Sequence, residues 1–265
     1  MALTPPDGAT RLIPIIGDPI AQVKSPGGIT AALHARGMNA YVMPAHVGTA
    51  DVAACLAGLS LLRNVDAILA TVPHKFSAFR HADTATPRAT LLGAANVLRR
   101  SPDGSWHADM LDGLAFVTAL RRAGCDPAGR RALLVGAGGA GAAIALALLE
   151  AGVSVLQVHD ADAARRDALL GRLAGQGTAR LLLGSDDPSG NDIIVNATPA
   201  GMRADDPLPV RADWLAADMT VGDVITVPEI TPLLAAARAT GCRISTGVEM
   251  FTAGRDLIVD FLLGG

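Results

Sequence analysis

The sequence predicts an α/β protein of two domains, and three observations carry that prediction. The first hundred residues alternate apolar strand patterns with helical ones. A glycine-rich turn at 136–141 joins an apolar strand to a long Ala/Leu helix, and the alternation then resumes. The chain has 265 residues, half of them apolar and only 3% aromatic, which suits helices of small residues packed closely on strands.

In order, "RLIPIIGDP" (11–19) reads as a first strand ending in a turn. "KSPGGITAALHARG" (24–37) reads as a helix, with Ser25 as its cap, Pro26 at its first position and Gly37 at its end. "NAYVMPAHV" (39–47) is a second strand, and "TADVAACLAGLSLL" (49–62) a helix with Thr49 as cap. "VDAILATVP" (65–73) is a third strand. This order predicts a parallel layer. The text is then polar and turn-rich to Arg88, "PDG" (102–104) marks a tight turn, and 111–124 forms a helix leading into the second domain.

The second domain repeats the pattern. Residues 130–152 give strand, glycine turn and helix; 153–162 a strand; 163–175 a helix; 179–184 and 191–202 strands. Residues 222–241 give strand, proline turn and helix, and 242–248 a last short strand. The final helix, from 249, should bury Leu257, Ile258, Phe261 and Leu262.

Net charge is formally −3 with no long basic block, which points away from nucleic acid and anionic membranes. No apolar stretch is long enough to span a bilayer and the N-terminus lacks a hydrophobic signal core, so a soluble, cytoplasmic protein is expected. The three cysteines are widely spaced and form no CxxC, so neither a disulfide framework nor a metal site is expected.

Gly136, Gly138 and Gly141 satisfy G-x-G-x-x-G between strand and helix, the context in which that spacing carries meaning. Gly136 permits the tight turn, Gly138 lets the backbone approach a pyrophosphate, and Gly141 lets helix and strand lie close. The next strand ends at Asp160, where a carboxylate accepts hydrogen bonds from ribose hydroxyls and repels a ribose phosphate. Arg165 and Arg166 lie nearby, but none follows directly, so NAD is favoured over NADP. A Rossmann-type domain with no cofactor, or one holding a flavin or another adenine nucleotide, would show the same turn. In the first domain Lys75 and His74 follow the third strand, and either could exchange a proton; residue type alone does not choose between them. Asp112 could act beside them or merely cap its helix.

Seven segments, in order, resemble the shikimate/quinate dehydrogenase family: "IGDPIAQVKSP", "ATVPHK", "GAANVL", "MLDGLAF", "GAGGAG", "NATPAGM" and "VPEITPLLAAARATG". The resemblance runs over nearly the whole chain. It implies a substrate domain of 1–111 plus 246–265 and a dinucleotide domain of 112–245. It also implies hydride transfer between a nicotinamide cofactor and shikimate, quinate or a related cyclic hydroxy acid. By this resemblance Lys75 transfers the proton, and Asp112 orients it while holding a substrate hydroxyl. Asn96 binds ring hydroxyls, and Ser25 with Thr71 holds the carboxylate. The cofactor set is Gly136, Ala137, Gly138, Gly139, Ala140, Gly141 and Asp160, with Asn196, Ala197, Thr198, Pro199, Met202, Gly247 and Met250. The chain departs from the family pattern at Val23, Leu69, Met110, Leu111, Thr226 and Gly254, where polar or aromatic groups are expected. Arg255 could compensate as a carboxylate anchor. These losses favour a changed substrate preference. Two other readings remain: the same fold with an unrelated small substrate, and a nucleotide-binding regulatory protein without turnover. The oligomeric state is open, a homodimer included.

Overall fold

The computed structural model describes residues 5–21, 23–203 and 205–264. The chain divides into two compact units, Met1–Leu111 with Arg255–Gly265, and Asp112–Gly254.

The first unit opens as the sequence predicts, with β1 (Arg11–Gly17), α1 (Ser25–Ala35), β2 (Ala40–His46), α2 (Val52–Leu61) and β3 (Ala67–Ala70). β1 lies between β2 and β3, parallel to both. Pro26 opens α1 and Gly37 follows its end with φ of 79°, as expected, but the N-cap expectations fail. Ser25 is already inside α1, and neither Lys24 before α1 nor Asp51 before α2 makes a side-chain cap bond. Thr49 lies outside α2 altogether.

Residues 74–110 depart further from expectation. The stretch read as turn-rich holds α3 (Lys75–His81), β4 (Thr84–Ala85) and α4 (Pro87–Leu92). The signals for α4 were present: Thr86 caps it by accepting from the Ala89 N–H, Pro87 is in its first turn, and Gly93 ends it with φ of 63°. β5 (Val97–Arg100) and β6 (Trp106–Asp109) form an antiparallel hairpin, and β5 is also antiparallel to β3. The sheet is therefore mixed, in the order β2-β1-β3-β5-β6-β4: β2, β1 and β3 make the parallel layer expected, and the β5–β6 hairpin adds antiparallel pairs to it. The cause is the "PDG" turn: the Ser101 N–H bonds the Ser105 carbonyl at 2.8 Å, and Gly104 takes φ of 90°. A connection this short can only reverse the strand. One face buries Ile16, Ile68, Ala70, Leu98 and Ala108 with Val52, Leu56 and Ala78.

The second unit contains α5 (Asp112–Arg122), β7 (Arg131–Val135), α6 (Gly139–Glu150), β8 (Val155–His159), α7 (Ala163–Leu173), β9 (Arg180–Leu183) and β10 (Ile193–Asn196). After a 3-10 turn at Ala212–Trp214 come β11 (Thr220–Asp223), α8 (Pro232–Thr240), β12 (Arg243–Ser245) and the start of α9 (Gly247–Leu262). All six strands are parallel, in the order β12-β11-β10-β7-β8-β9. This is the doubly wound Rossmann order, with its reversal between β7 and β10. Helices pack tightly: a Cβ on Gly113 of α5 would sit 2.1 Å from the Ala143 carbonyl oxygen of α6.

α9 runs through the division between the units, so the break falls after Gly254 and not before residue 246. Its first turn is tied to the second unit. The Thr246 N–H donates to the Glu249 carboxylate and the Glu249 N–H to the Thr246 hydroxyl, a capping box. Of the apolar face expected on α9, Leu257, Ile258, Phe261 and Leu262 are half-buried, whereas Ala253 and Val259 are fully buried. Among the described residues no helix is long and apolar enough to cross a membrane, and no group of three or more acidic, His or Cys side chains could hold a metal.

Candidate active site

In the first unit the candidate residues collect at the carboxyl ends of β1, β2 and β3, where open α/β sheets place their ligands. The backbone there is knitted together. The Val47 N–H bonds the Gly17 carbonyl at 3.2 Å, and the Asp18 N–H bonds the Val72 carbonyl at 3.0 Å. A Cβ on Gly17 would stand 2.5 Å from the Thr71 methyl, so only glycine lets the 71–75 turn lie this close.

Lys75 is the first residue of α3 and is only 8% exposed. Lysine is seldom buried without a purpose or a partner. Its carbonyl accepts from the Ala95 N–H at 2.9 Å, which fixes the start of α3 beside Asn96. Asn96 is buried, and its side-chain oxygen accepts from the Leu111 N–H at 2.9 Å. His74 resolves the earlier ambiguity. It is 1% exposed, and its Nε2 donates to the Val47 carbonyl at 2.6 Å. The imidazole is thus a buried strut between two turns, and the candidate for proton transfer is Lys75.

Other expected substrate residues fare unequally. Ser25 and Thr71 are half-buried. Arg255 is committed to its neighbour: its Nε and Nη2 donate to Asp256 at 2.9 and 2.8 Å, so a carboxylate ligand would compete with an existing ion pair. Leu69, Met110 and Leu111 are all buried. The apolar side chains at these positions are therefore part of the packed interior, not surface substitutions. Sequence reasoning missed Asp109, buried on β6, which accepts from Arg88 Nε at 2.8 Å, the Thr86 hydroxyl at 2.6 Å and the Met110 N–H at 2.7 Å. A charged residue on a strand within "SWHADM" was its only trace.

In the second unit the glycine turn lies at the reversal point of the sheet. Each glycine has a separate reason. Gly136 has φ of 104°, and a Cβ on it would lie 2.8 Å from the Ala197 backbone. A Cβ on Gly141 would lie 1.9 Å from the Gly136 carbonyl. A Cβ on Gly138 would meet nothing within 4 Å, so no protein atom demands glycine there. The open space over Gly138, above the first turn of α6 where a helix leaves its N–H groups without intrahelical partners, fits a pyrophosphate. Gly139 and Ala140 lie in that first turn. Ala137 N–H donates to Asp160 Oδ2 at 2.7 Å, and the Asp162 N–H to Oδ1 at 2.8 Å, so the turn and the end of β8 hold the carboxylate in one orientation. Arg165 Nη1 stands 3.7 Å from Asp160, and its Nη2 3.4 Å from Asp162.

Across the reversal point, Asn196 pairs in register with Val135. Its side chain is 0% exposed, which corrects its assignment as a cofactor contact. Its oxygen accepts from the Thr198 N–H and hydroxyl at 3.0 and 2.6 Å, and its amide donates to the Ala200 carbonyl at 3.0 Å and to Asp223 at 3.1 Å. Asn196 shapes the loop; any ligand contact falls to Ala197, Thr198, Pro199 and the exposed Met202. Asp223, absent from the sequence reading, is fully buried, and burial pushes its carboxyl above the ordinary range against the opposing effect of its hydrogen bonds. Gly247 lies against the Ile225 carbonyl, 2.2 Å from the place of its absent Cβ, and Met250 is half-buried one turn later.

Comparison with known proteins agrees with this geometry. A family model described as the shikimate dehydrogenase substrate binding domain matches residues 15–98. A shikimate dehydrogenase (NADP(+)) of Rubrobacter xylanophilus is 37% identical over 249 residues, spanning 92% of this chain and 87% of its own. Among solved structures, quinate dehydrogenase from Corynebacterium glutamicum in complex with NAD superimposes with a TM-score of 0.86 at 27% identity, covering 97% of this chain and 94% of its own. A 5-ketofructose reductase of Gluconobacter sp. strain CHM43, solved without ligand, gives a TM-score of 0.84 at 27% identity over the same shares. A Rossmann unit with its glycine turn intact, joined to a substrate-domain match and to a relative this similar over nearly full length, settles the family: the chain belongs to the shikimate/quinate dehydrogenases, nicotinamide-dependent oxidoreductases acting on a CH–OH group.

Proposed function

We propose that the protein interconverts a CH–OH group of shikimate, quinate or a related cyclic hydroxy acid and the corresponding ketone, with NAD preferred over NADP. The observation that carries the catalytic part is Lys75, a buried lysine fixed at the carboxyl edge of the first sheet while its histidine neighbour is tied to a carbonyl. In oxidation Lys75 takes the hydroxyl proton; in reduction it returns a proton to the same oxygen. Asp112 holds a substrate hydroxyl, Asn96 binds another, and Ser25 with Thr71 receives the carboxylate. The glycine turn, Asp160, the 197–202 loop, Gly247 and Met250 hold the dinucleotide, which when bound accepts or donates the hydride.

The preference for NAD rests on Asp160. Both its oxygens already accept backbone N–H groups, so its charge is fixed in place. A 2′-phosphate beside it would meet like charge, and the nearest guanidinium, Arg165, is shared with Asp162. The Rubrobacter relative is named for NADP(+), and the Corynebacterium structure holds NAD.

A second reading is favoured by Leu69, Met110 and Leu111. With these positions buried and apolar, the site offers fewer partners for hydroxyl groups, and a different small hydroxy or keto compound becomes the better substrate. The similarity to a 5-ketofructose reductase supports this alternative. The test is to mix the protein with NAD or NADP and a panel of cyclic hydroxy acids and ketoses, following reduced-cofactor absorbance in both directions. Turnover with shikimate or quinate supports the first reading, and turnover only with another compound supports the second. Cofactor binding with no turnover across the panel would sink both.

A further inference from the structure

We propose that Asp223 is a positioning residue for the nicotinamide cofactor: one buried carboxylate fixes both the 197–200 loop and the Ile225–Gly247 contact. The inference rests on the reading of the glycine turn as a dinucleotide site.

Asp223 ends β11 and is fully buried. Its Oδ2 accepts from Asn196 Nδ2 at 3.1 Å and from the Thr231 hydroxyl at 2.8 Å. Its Oδ1 accepts from the Ile225 N–H at 2.9 Å. Each of these contacts leads to a segment proposed to touch the cofactor or to the start of a helix. Through Asn196 the carboxylate sets Thr198 and Ala200, and that loop lies directly on the Gly136 turn. Through Ile225 it sets the carbonyl against which Gly247 packs. Through Thr231, which also accepts from the Leu234 N–H at 3.3 Å, it anchors the start of α8.

These partners are all donors, so the site calls for an acceptor on both oxygens. An asparagine at 223 keeps one acceptor and turns an amide against a donor on the other side. Either the Ile225 or the Asn196 attachment is then lost, while volume and fold are nearly unchanged. Thr198 offers an independent handle on the same chain of bonds, because its hydroxyl donates to Asn196 and accepts from the Ala200 N–H at 3.1 Å.

The experiment is calorimetric titration of NAD and NADP into wild type, Asp223→Asn, Thr198→Val and Thr198→Ser, with a thermal midpoint for each. Positioning predicts that Asp223→Asn weakens the dissociation constant about tenfold at a temperature where the variant is fully folded. Thr198→Val should weaken it by several-fold, and Thr198→Ser, which keeps the hydroxyl, should bind like wild type. A lowered midpoint with unchanged dissociation constants in both Asp223→Asn and Thr198→Val would overturn the proposal, since a merely structural role moves only the midpoint. Equal losses in Thr198→Ser and Thr198→Val would also overturn it, by assigning the effect to the methyl group. Should Asp223→Asn fail to fold, Thr231→Val against Thr231→Ser decides, because Thr231 donates to Asp223 without belonging to the proposed cofactor contacts: weaker binding in the valine variant alone supports positioning, and unchanged dissociation constants in both overturn it. If wild type binds neither cofactor, the underlying dinucleotide reading fails and takes this inference with it.

Discussion

His74 and Lys75 are adjacent in sequence and both are buried, yet their surroundings give them different work. The imidazole spends its Nε2 hydrogen on the Val47 carbonyl, and so braces the turn after β3 against the turn after β2. Lys75 begins α3 beside the Asn96 segment. Residue type could not separate the two, because the Val47 contact joins segments 27 positions apart. The separation is testable. Lys75→Gln should lower kcat/KM by about 10²- to 10⁴-fold, the usual contribution of a general acid–base group, with the circular dichroism spectrum unchanged. His74→Gln should instead cost about 1–2 kcal/mol of stability through its lost buried contact, with kcat/KM within a few-fold of wild type. A thermal melt and steady-state kinetics on both variants distinguish the roles; the reverse pattern would move proton transfer to His74.

Elements were legible where one short signal determined them and obscure where two distant segments did. The glycine turn is local, and the structure places it where the sequence does; the Asp162 cap of α7 and the Thr231-Pro232 start of α8 are as local, though sequence reasoning named neither. The Thr86-Pro87 start of α4 and the "TGVE" capping box of α9 are equally local and were overlooked among polar residues. The Asp223 network was not locally readable, since its members lie on two strands and a helix cap. The turn after the Asn196 loop is a further device of this kind. Asp206 Oδ2 accepts from the Gly201 and Arg203 N–H groups at 3.0 Å each. These bonds, that to Arg203 first, hold its carboxyl below the ordinary value of 3.8. A depressed folded-state value means stability that is present above the unfolded value and lost as pH falls through the folded one. Asp206→Asn should therefore be less stable than wild type near neutral pH, and the gap should close below about pH 4. Denaturant melts across that range would show it; a gap that persists at low pH would mean the turn depends on something other than the ionised carboxylate.

At the scale of the whole chain, the second unit was the more predictable because three of its strand connections, β7 to β8, β8 to β9 and β11 to β12, are helical crossovers, which suit parallel pairing. The first unit mixes that rule with one tight hairpin, which makes β5 and β6 antiparallel to each other and the sheet mixed. The same contrast runs through the proposed function. The proposed cofactor site is backbone geometry that glycine spacing announces, whereas the proposed change of substrate preference rests on side chains such as Leu69 and Leu111, whose burial appears only in the fold. Ligand linkage turns the first half into a measurement. A ligand that binds only the native state at 100 times its dissociation constant stabilises by about 2.7 kcal/mol, which for a chain of this size raises the melting midpoint by roughly 5–10 °C. NAD should produce such a shift as its concentration rises. NADP at equal concentration should produce a smaller one under the proposed placement of the ribose beside the Asp160 carboxylate. Replacing Asp160 with serine removes that charge and should bring the two shifts together. Equal shifts in the wild type would sink the NAD preference while leaving the dinucleotide site intact, and no shift with either would sink the site itself.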